Sequence, residues 1–276
     1  MPSIAVLITC FNRKIHTLKC LERLYELDNN LDTFLVDDRS TDGTSDAVHE
    51  LFPQVNVILS GGDLFWNRGM YLAWQEAARH DYDYYLWLND DVVLYDLCLT
   101  ELMECTTLAK DKAVISGIIE SKDKFETLYG GSNQNKQLLR PNDTMQEITY
   151  LNGNVVLVPK SVYQILGMLD PIYHHDMGDV DYGFRALTNG VSVLTTRCPV
   201  GFGEKNPICR ERVNNTTLTK RFKKLYSPLG SNPLLNFYFR KKYKSIFNAT
   251  AYYVFQHVLN LIPDKLNDSL FGDKYK

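Results

Sequence analysis

The chain has 276 residues, 45% hydrophobic and 23% charged, with a net charge of −3. Such a composition is that of an ordinary globular protein with one large core, or a core and an appendage. The slightly acidic balance gives no general attraction to nucleic acid, and no apolar run approaches the roughly 20 residues of a membrane span.

Ile4 to Ile8 is apolar at every position and is predicted as a strand buried on both faces, as in a parallel sheet covered by helices. No basic residue precedes it, so it reads as core and not as a signal peptide, and the cytoplasm is the expected compartment. Lys14 to Leu27 then places Ile15, Leu18, Leu21, Leu24 and Tyr25 at helical spacing. Thr33 to Val36 is a second strand that ends in Asp37-Asp38, Thr44 to Phe52 a short helix, and Val55 to Leu59 a third strand. Asn67 to Arg79 is helical, with Met70, Ala73, Trp74 and Ala77 on one face. Tyr84 to Leu88 is a fourth strand and Ala113 to Ile118 a fifth. This alternation argues for βαβ units and an α/β, Rossmann-like, doubly wound, mainly parallel sheet.

The second half is less regular. Ser132 to Gln146 is polar and reads as a loop, and residues 197 to 217 read as irregular. Asn154 to Val158 is predicted as a strand, Lys160 to Leu166 and Val180 to Asn189 as helices, and the chain from Leu218 onward as a helical, basic and aromatic extension. The cysteines Cys10, Cys20, Cys98, Cys105, Cys198 and Cys209 have no metal-finger spacing, and Cys10 and Cys20 read as buried free thiols.

Polar clusters follow three strands: Thr9 to Arg13, Asp37 to Ser40, and Asn89-Asp90-Asp91. Open α/β sheets bind ligands along that edge. Two adjacent carboxylates on a turn repel unless a cation or donor compensates them. A divalent ion held by few carboxylates plus phosphate oxygens is one solution, and a solvated turn or helix cap is the other. The apolar strand before Asn89 puts the acids at the middle of the sheet edge, which favours the metal.

In this order, Thr9-Cys10-Phe11-Asn12-Arg13, Val36 to Thr44 and Asn89-Asp90-Asp91 resemble glycosyltransferase family 2, over about residues 3 to 200. The resemblance implies the GT-A fold, an inverting reaction and a nucleotide-sugar donor. It also implies that Asp38 accepts from the imino N–H of the base, a task suited to an ionised carboxylate. An Asx-turn and helix cap is the structural alternative for Asp37 and Asp38. Phe11 is placed to stack on a pyrimidine and Thr9 to offer a hydroxyl, with Arg13 beside them. Gly61 to Met70 is similar to the segment that bacterial rhamnosyltransferase-type members carry. There Arg68, at a helix start, is suited to a diphosphate, and Trp66 to the wall of a sugar pocket.

In the acceptor half, Tyr150 to Asn154 contains the Gly-turn that the family shows, with Asn152 and Gly153 as acceptor-side candidates. Asp179, Asp181 and Arg185 match its Glu-Asp-x-Asp…Arg cluster, while Gly178 stands where Glu is usual. An inverting transfer needs one base for the acceptor hydroxyl, and Asp179 is the residue chosen. Asp181 is expected to pair with Arg185 four residues on. The late histidine that many relatives give to the metal is missing, with Glu204 as a substitute; His174 and His175 precede the base, and His175 is an acceptor-side candidate.

The extension combines Arg240, Lys241, Lys242 and Lys244 with the apolar run Ala251 to Ile262. Residues 234–262 therefore suit a peripheral contact with an anionic membrane, or else packing on the catalytic domain or a homo-dimer contact. The expected organisation is a catalytic domain at 1–217, divided into a nucleotide-sugar half at 1–120 and an acceptor half at 121–217, followed by the extension at 218–276. The expected chemistry is inverting transfer from a UDP- or dTDP-sugar to a hydroxyl of a bacterial surface glycan, lipid-linked or free. Mg2+ or Mn2+ would sit at Asp91, assisted by Asp90 or Asn89. A sugar nucleotidyltransferase and a non-catalytic nucleotide- or glycan-binding module are the rival readings; the first lacks its Gly-rich loop here, and retention of Asp91 and Asp179 speaks against the second.

Overall fold

The computed structural model describes residues 2–205 and 211–272, so Cys209 and Asn206 lie outside the described residues. The chain divides into two compact units, residues 1–171 with 177–205, and residues 172–176 with 206–276.

The first unit opens with β1 (Ile4–Cys10), α1 (Lys14–Leu27), β2 (Asp32–Asp37), α2 (Thr44–Leu51), β3 (Asn56–Leu59), α3 (Phe65–Ala77) and β4 (Tyr84–Leu88). There follow β5 (Val93–Leu94), α4 (Cys98–Leu108), β6 (Ala113–Ser121), β7 (Thr127–Tyr129), β8 (Gly131–Ser132), β9 (Tyr150–Leu151), β10 (Val155–Pro159), α5 (Lys160–Leu166), α6 (Gly178–Thr188) and β11 (Ser192–Gly203). The main sheet runs β3-β2-β1-β4-β10-β6-β11-β5. Its first four strands are parallel, but β10 runs antiparallel to both β4 and β6, so the sheet is mixed beyond β4.

Alternation along each strand sends side chains to opposite faces. Val6 and Ile8 pack with Leu21 and Leu24 of α1 on one face, while Ala5 and Leu7 pack with Met70 and Trp74 of α3 on the other. Both faces of β1 are thus covered, which is why Ile4 to Ile8 reads as uniformly apolar. Trp74 and Trp87 are fully buried and meet at 5.6 Å, edge to face, between the sheet and α3.

Two sequence expectations differ from the structure. The start of the stretch 197–217 is not irregular: the long strand β11 reaches Gly203, with register shifts against β6 around Pro199. Pro199, Gly201 and Gly203 mask the strand pattern, yet Gly201 is needed, because a Cβ there would stand 2.6 Å from the carbonyl oxygen of Val93 on β5. Likewise the polar stretch from Ser132 contributes to the small β8–β9 pair, and Ser132 also bridges Leu138.

The second unit contains α7 (Leu218–Leu225), α8 (Pro233–Tyr243), α9 (Ile246–Leu261) and α10 (Asp264–Phe271). Two buried arginines secure the end of α9. Arg212 donates to the Ile262 carbonyl (2.9 Å) and Arg221 to those of Ile262 (3.1 Å) and Asn260 (3.4 Å), satisfying carbonyls that a helix C-terminus leaves open. Both guanidinium groups also reach Asp264 Oδ1 at 2.6 Å. No helix among the described residues is long and apolar enough to cross a membrane.

Candidate active site

Strand order reverses at β1, with β2 and β3 on one side and β4 on the other. A crevice opens at such a reversal, outside the carboxyl ends of the strands. The loops after β1, β2 and β4 meet there because Cys10 lies opposite Asp37 and Leu7 opposite Trp87. Asn12, with φ of 51°, pins the first two loops together: its Oδ1 accepts from the Thr41 N–H (2.7 Å) and its own N–H donates to Ser40 Oγ (2.9 Å). Phe11 is left 57% exposed at the strand end, a ring face open to solvent. Thr9 is half-buried against α3, and a Cβ at Gly69 would stand 2.2 Å from its hydroxyl oxygen. An isolated glycine inside a helical pattern is the sequence signal of such an approach.

Asp37 and Asp38 hold local structure. Asp37 accepts from the Ser40 N–H (2.7 Å) and the Ser45 hydroxyl, closing the turn into α2. Asp38 accepts from the Ser60 hydroxyl (2.6 Å) and from the N–H groups of Leu64 and Phe65 (2.9 Å each). It thereby pegs down the loop that starts α3, where Gly62, Asp63 and Phe65 all have positive φ. A carboxylate has about four acceptor sites, so about one remains for a ligand.

The acidic turn is compensated by an arginine. Arg13 Nη2 lies 2.8 Å from Asp91 Oδ2, and its Nε 3.6 Å from Asp90 Oδ2. Asp90 is buried and also accepts from the Thr17 hydroxyl at 3.2 Å. Burial pushes its carboxyl up to about 7, with Arg13 opposing and Asp91 adding to the shift. Among the described residues no three His, Cys, Asp or Glu side chains converge as a ready-made metal cage. An Mg2+- or Mn2+-type site built on one carboxylate and substrate phosphates does not require such a cage. Asp91 fits that case, because it meets Arg13 through Oδ2, which leaves Oδ1 for an ion. Glu204 follows β11, whose end pairs antiparallel with β5 just beyond the acidic turn; its side chain is exposed, and its carbonyl accepts from Tyr129. The remaining late histidine, His257, lies in the second unit, bonded to Tyr226 and to the Tyr253 carbonyl.

Asn89 does not stand open beside the acids. Trp66 Nε1 donates to Asn89 Oδ1 (2.7 Å), Asn89 Nδ2 to Asn154 Oδ1 (2.8 Å), and Asn154 Nδ2 to Asn152 Oδ1 (2.5 Å). This chain of amides fixes the indole of Trp66, which lies against Gly153; a Cβ on Gly153 would be 2.5 Å from the ring. The N–H of Gly153 donates to Asp179 Oδ2 at 3.0 Å. Trp66, Asn89, Asn152, Gly153 and Asp179 therefore form one connected group. Asn154 was not singled out by sequence; its neighbours were. Arg68 donates through Nε to the Pro171 carbonyl (2.8 Å), which orients its guanidinium.

On α6, Asp179 is half-buried in the first turn, and Asp181 is fully buried against Arg185 Nε at 3.0 Å. Arg185 also donates to the carbonyls of Leu166 (2.7 Å) and Met168 (2.6 Å), so this pair ties α6 to the end of α5. Gly178 has a steric reason to depart from Glu: a Cβ there would stand 1.7 Å from Asn67 Oδ1, and Asn67 is buried and bonded to the Asp170 carbonyl. Gly178→Ala should therefore destabilise the protein by about 1–3 kcal/mol, and Asn67→Ala should recover part of that loss. A double-mutant cycle from urea melts checks it, and additive losses would deny the contact. His175 belongs to the second unit; burial lowers its imidazole pKa and Lys224 lowers it further, against Asp176.

A family model described as Glycosyl transferase family 2 matches residues 5–164. The chain belongs to glycosyl transferase family 2. Among solved structures, S. aureus TarS (residues 1–349) in complex with UDP-GlcNAc aligns with a TM-score of 0.54 at 14% identity, over 74% of this chain and 59% of that one. The mannosyltransferase PcManGT from Pyrobaculum calidifontis, in complex with GDP-Man and Mn2+, aligns with a TM-score of 0.55 at 18% identity, over 94% and 71% of the two chains. This family 2 chain thus spans less than two thirds of the TarS chain it resembles, and no curated protein matches it. The likeness extends to the architecture, a mixed α/β fold around a central sheet as in GT-A glycosyltransferases.

Proposed function

We propose that this family 2 glycosyltransferase moves a sugar with inversion from a UDP- or dTDP-sugar to a hydroxyl of a bacterial surface glycan, free or lipid-linked. The observation that carries the reading is the connected group from Trp66 through Asn89 and Gly153 to Asp179, which ties the proposed base to the acidic turn. The segment Gly61 to Met70, similar to that of rhamnosyltransferase-type members, favours a deoxyhexose among donor sugars.

Phe11 stacks on the base, and Asp38 offers its remaining acceptor site to the imino N–H. Arg68, oriented by Pro171, presents its terminal N–H groups to the diphosphate. Asp179 takes the proton of the acceptor hydroxyl as its oxygen attacks the anomeric carbon; the bond from that carbon to the diphosphate oxygen breaks on the opposite face, and the bonding pair leaves with the nucleotide. A divalent ion at Asp91 would supply charge stabilisation to the departing diphosphate, and one of the similar structures carries Mn2+ with its GDP-Man. Arg13 keeps the adjacent acids from repelling each other.

Thermal melts with UDP, dTDP, GDP and CDP, with and without Mn2+, test the donor side. UDP or dTDP with Mn2+ should raise the transition as expected for ligand at about 100 times its Kd, near 2.7 kcal/mol. Asp91→Ala should lose the Mn2+-dependent part. Stabilisation by GDP alone would overturn the pyrimidine assignment.

A further inference from the structure

The second unit carries an apolar surface to which the proposed transfer assigns no role. Helix α9 has no Asp, Glu, Lys or Arg in its sixteen residues. Its buried side is formed by Ala249, Gln256, Leu259 and Asn260. At 100° per residue the opposite face is Phe247, Ala251, Val254, Val258 and Leu261, spaced alternately by four and three. All five are exposed, Phe247 by 83% and Val258 by 50%. An outward helix face normally carries the polar residues; here it carries none of the charged ones.

The surrounding charge says what covers that face. From Val213 to Pro263 every charged residue is basic, in a chain whose net charge is −3. Arg221 is spent on the end of α9, Arg240 lies over the Tyr252 ring, and Lys242, though exposed, lies over the rings of Tyr238 and Tyr243, while Lys220 and Lys223 on α7, Lys241 on α8, and Lys244 are also exposed. Lys244 stands in the turn three residues before Phe247. Two copies joined through this face would bring like charges together with no acid from the same stretch to offset them. A sheet of anionic head groups complements them.

We propose that the outer face of α9 lies in the plane of an anionic lipid surface, with Phe247, Val254 and Val258 entering the acyl boundary and the lysines on the head groups. Sixteen residues give about 24 Å of helix, too short to span and long enough to lie flat. This inference stands apart from the transfer reading, since its ligand is the lipid surface and not the donor.

Flotation of the full chain with vesicles of phosphatidylcholine alone, and of phosphatidylcholine mixed with phosphatidylglycerol, tests it. Binding is expected to the mixed vesicles only and to weaken as salt rises. The double variant Val254→Asp/Val258→Asp should weaken it by about tenfold or more while leaving the nucleotide-dependent thermal shift intact. Lys223→Glu/Lys241→Glu, at exposed polar positions, should also weaken it, and decides the matter if the first variant fails to melt cooperatively. Absence of binding to anionic vesicles overturns the proposal. So does a sedimentation result in which the chain is a dimer that Val258→Asp dissociates, because the face is then an interface between copies.

Discussion

In Asp179→Asn, sugar transfer, or donor hydrolysis with a pool of sugar nucleotides, is expected to fall by roughly 10²–10⁴-fold, with nucleotide-dependent stabilisation unchanged. The substitution is chosen for what it keeps. Asn retains an oxygen to accept from the Gly153 N–H, now held at 3.0 Å, so the turn beside Trp66 stays in place. It loses the ability to take a proton at neutral pH. Asp181→Asn is the contrast: Asp181 is fully buried on Arg185, and its loss should appear in melting before turnover. Wild-type turnover in Asp179→Asn would remove the base from α6 altogether.

The largest effect on stability is expected at Asp264. Its carboxylate meets two guanidinium groups whose side chains are 0% and 6% exposed. Without it, two cations remain buried near each other, facing carbonyls alone. Removing the partner of a buried charge costs about 3–5 kcal/mol; the carboxylate is itself 27% exposed, which argues for the lower end. Asp264→Ala should therefore lose about 3 kcal/mol in urea melts, and Asp264→Asn less, because an oxygen remains. The hydrogen bond from Arg212 holds the Asp264 carboxyl below its ordinary value of 3.8. With the folded value depressed, the contribution is present above the unfolded value and is lost as pH falls through the folded one. The acid-side loss of stability should accordingly shrink in Asp264→Ala, and equal melts of variant and wild type across that range would show the clamp to be idle.

The strands β1, β2 and β4 were legible because burial on both faces leaves mostly apolar runs that end where polar residues begin, whereas β3, at the sheet edge, is exposed at both ends and was read from Val55 to Leu59 on its branched residues. The reading of α1 from Lys14 to Leu27 matches the helix for the related reason that its apolar stripe repeats without a breaker. β11 was illegible because a proline and two glycines occupy it for the sake of its neighbours, Gly201 clearing the backbone of β5. Within the site, residue types were legible and partnerships were not. Arg13 stands 78 positions from Asp91, and nothing local tells an arginine meant for phosphate from one that neutralises an acid. Asn67 and Gly178 explain each other, but only once α3 and α6 are side by side. Asp38 was read as an acceptor for the base, while the loop amides that it holds come from residues whose backbone conformation no side-chain pattern announces.

The amide chain from Trp66 to Asn152 has a consequence for changing what this enzyme accepts. In the proposed site Trp66 walls the sugar pocket, and its ring is also the surface on which Gly153 rests, while Gly153 holds Asp179. On that reading a smaller residue at 66 would loosen the proposed base along with the pocket, so sugar choice and acceptor activation would shift together. Selecting for a new sugar at this position alone would then return slow variants. A bulkier residue at 153 would not restore the arrangement, because a Cβ there also stands 3.2 Å from the Cβ of Asp179 and would press on the proposed base.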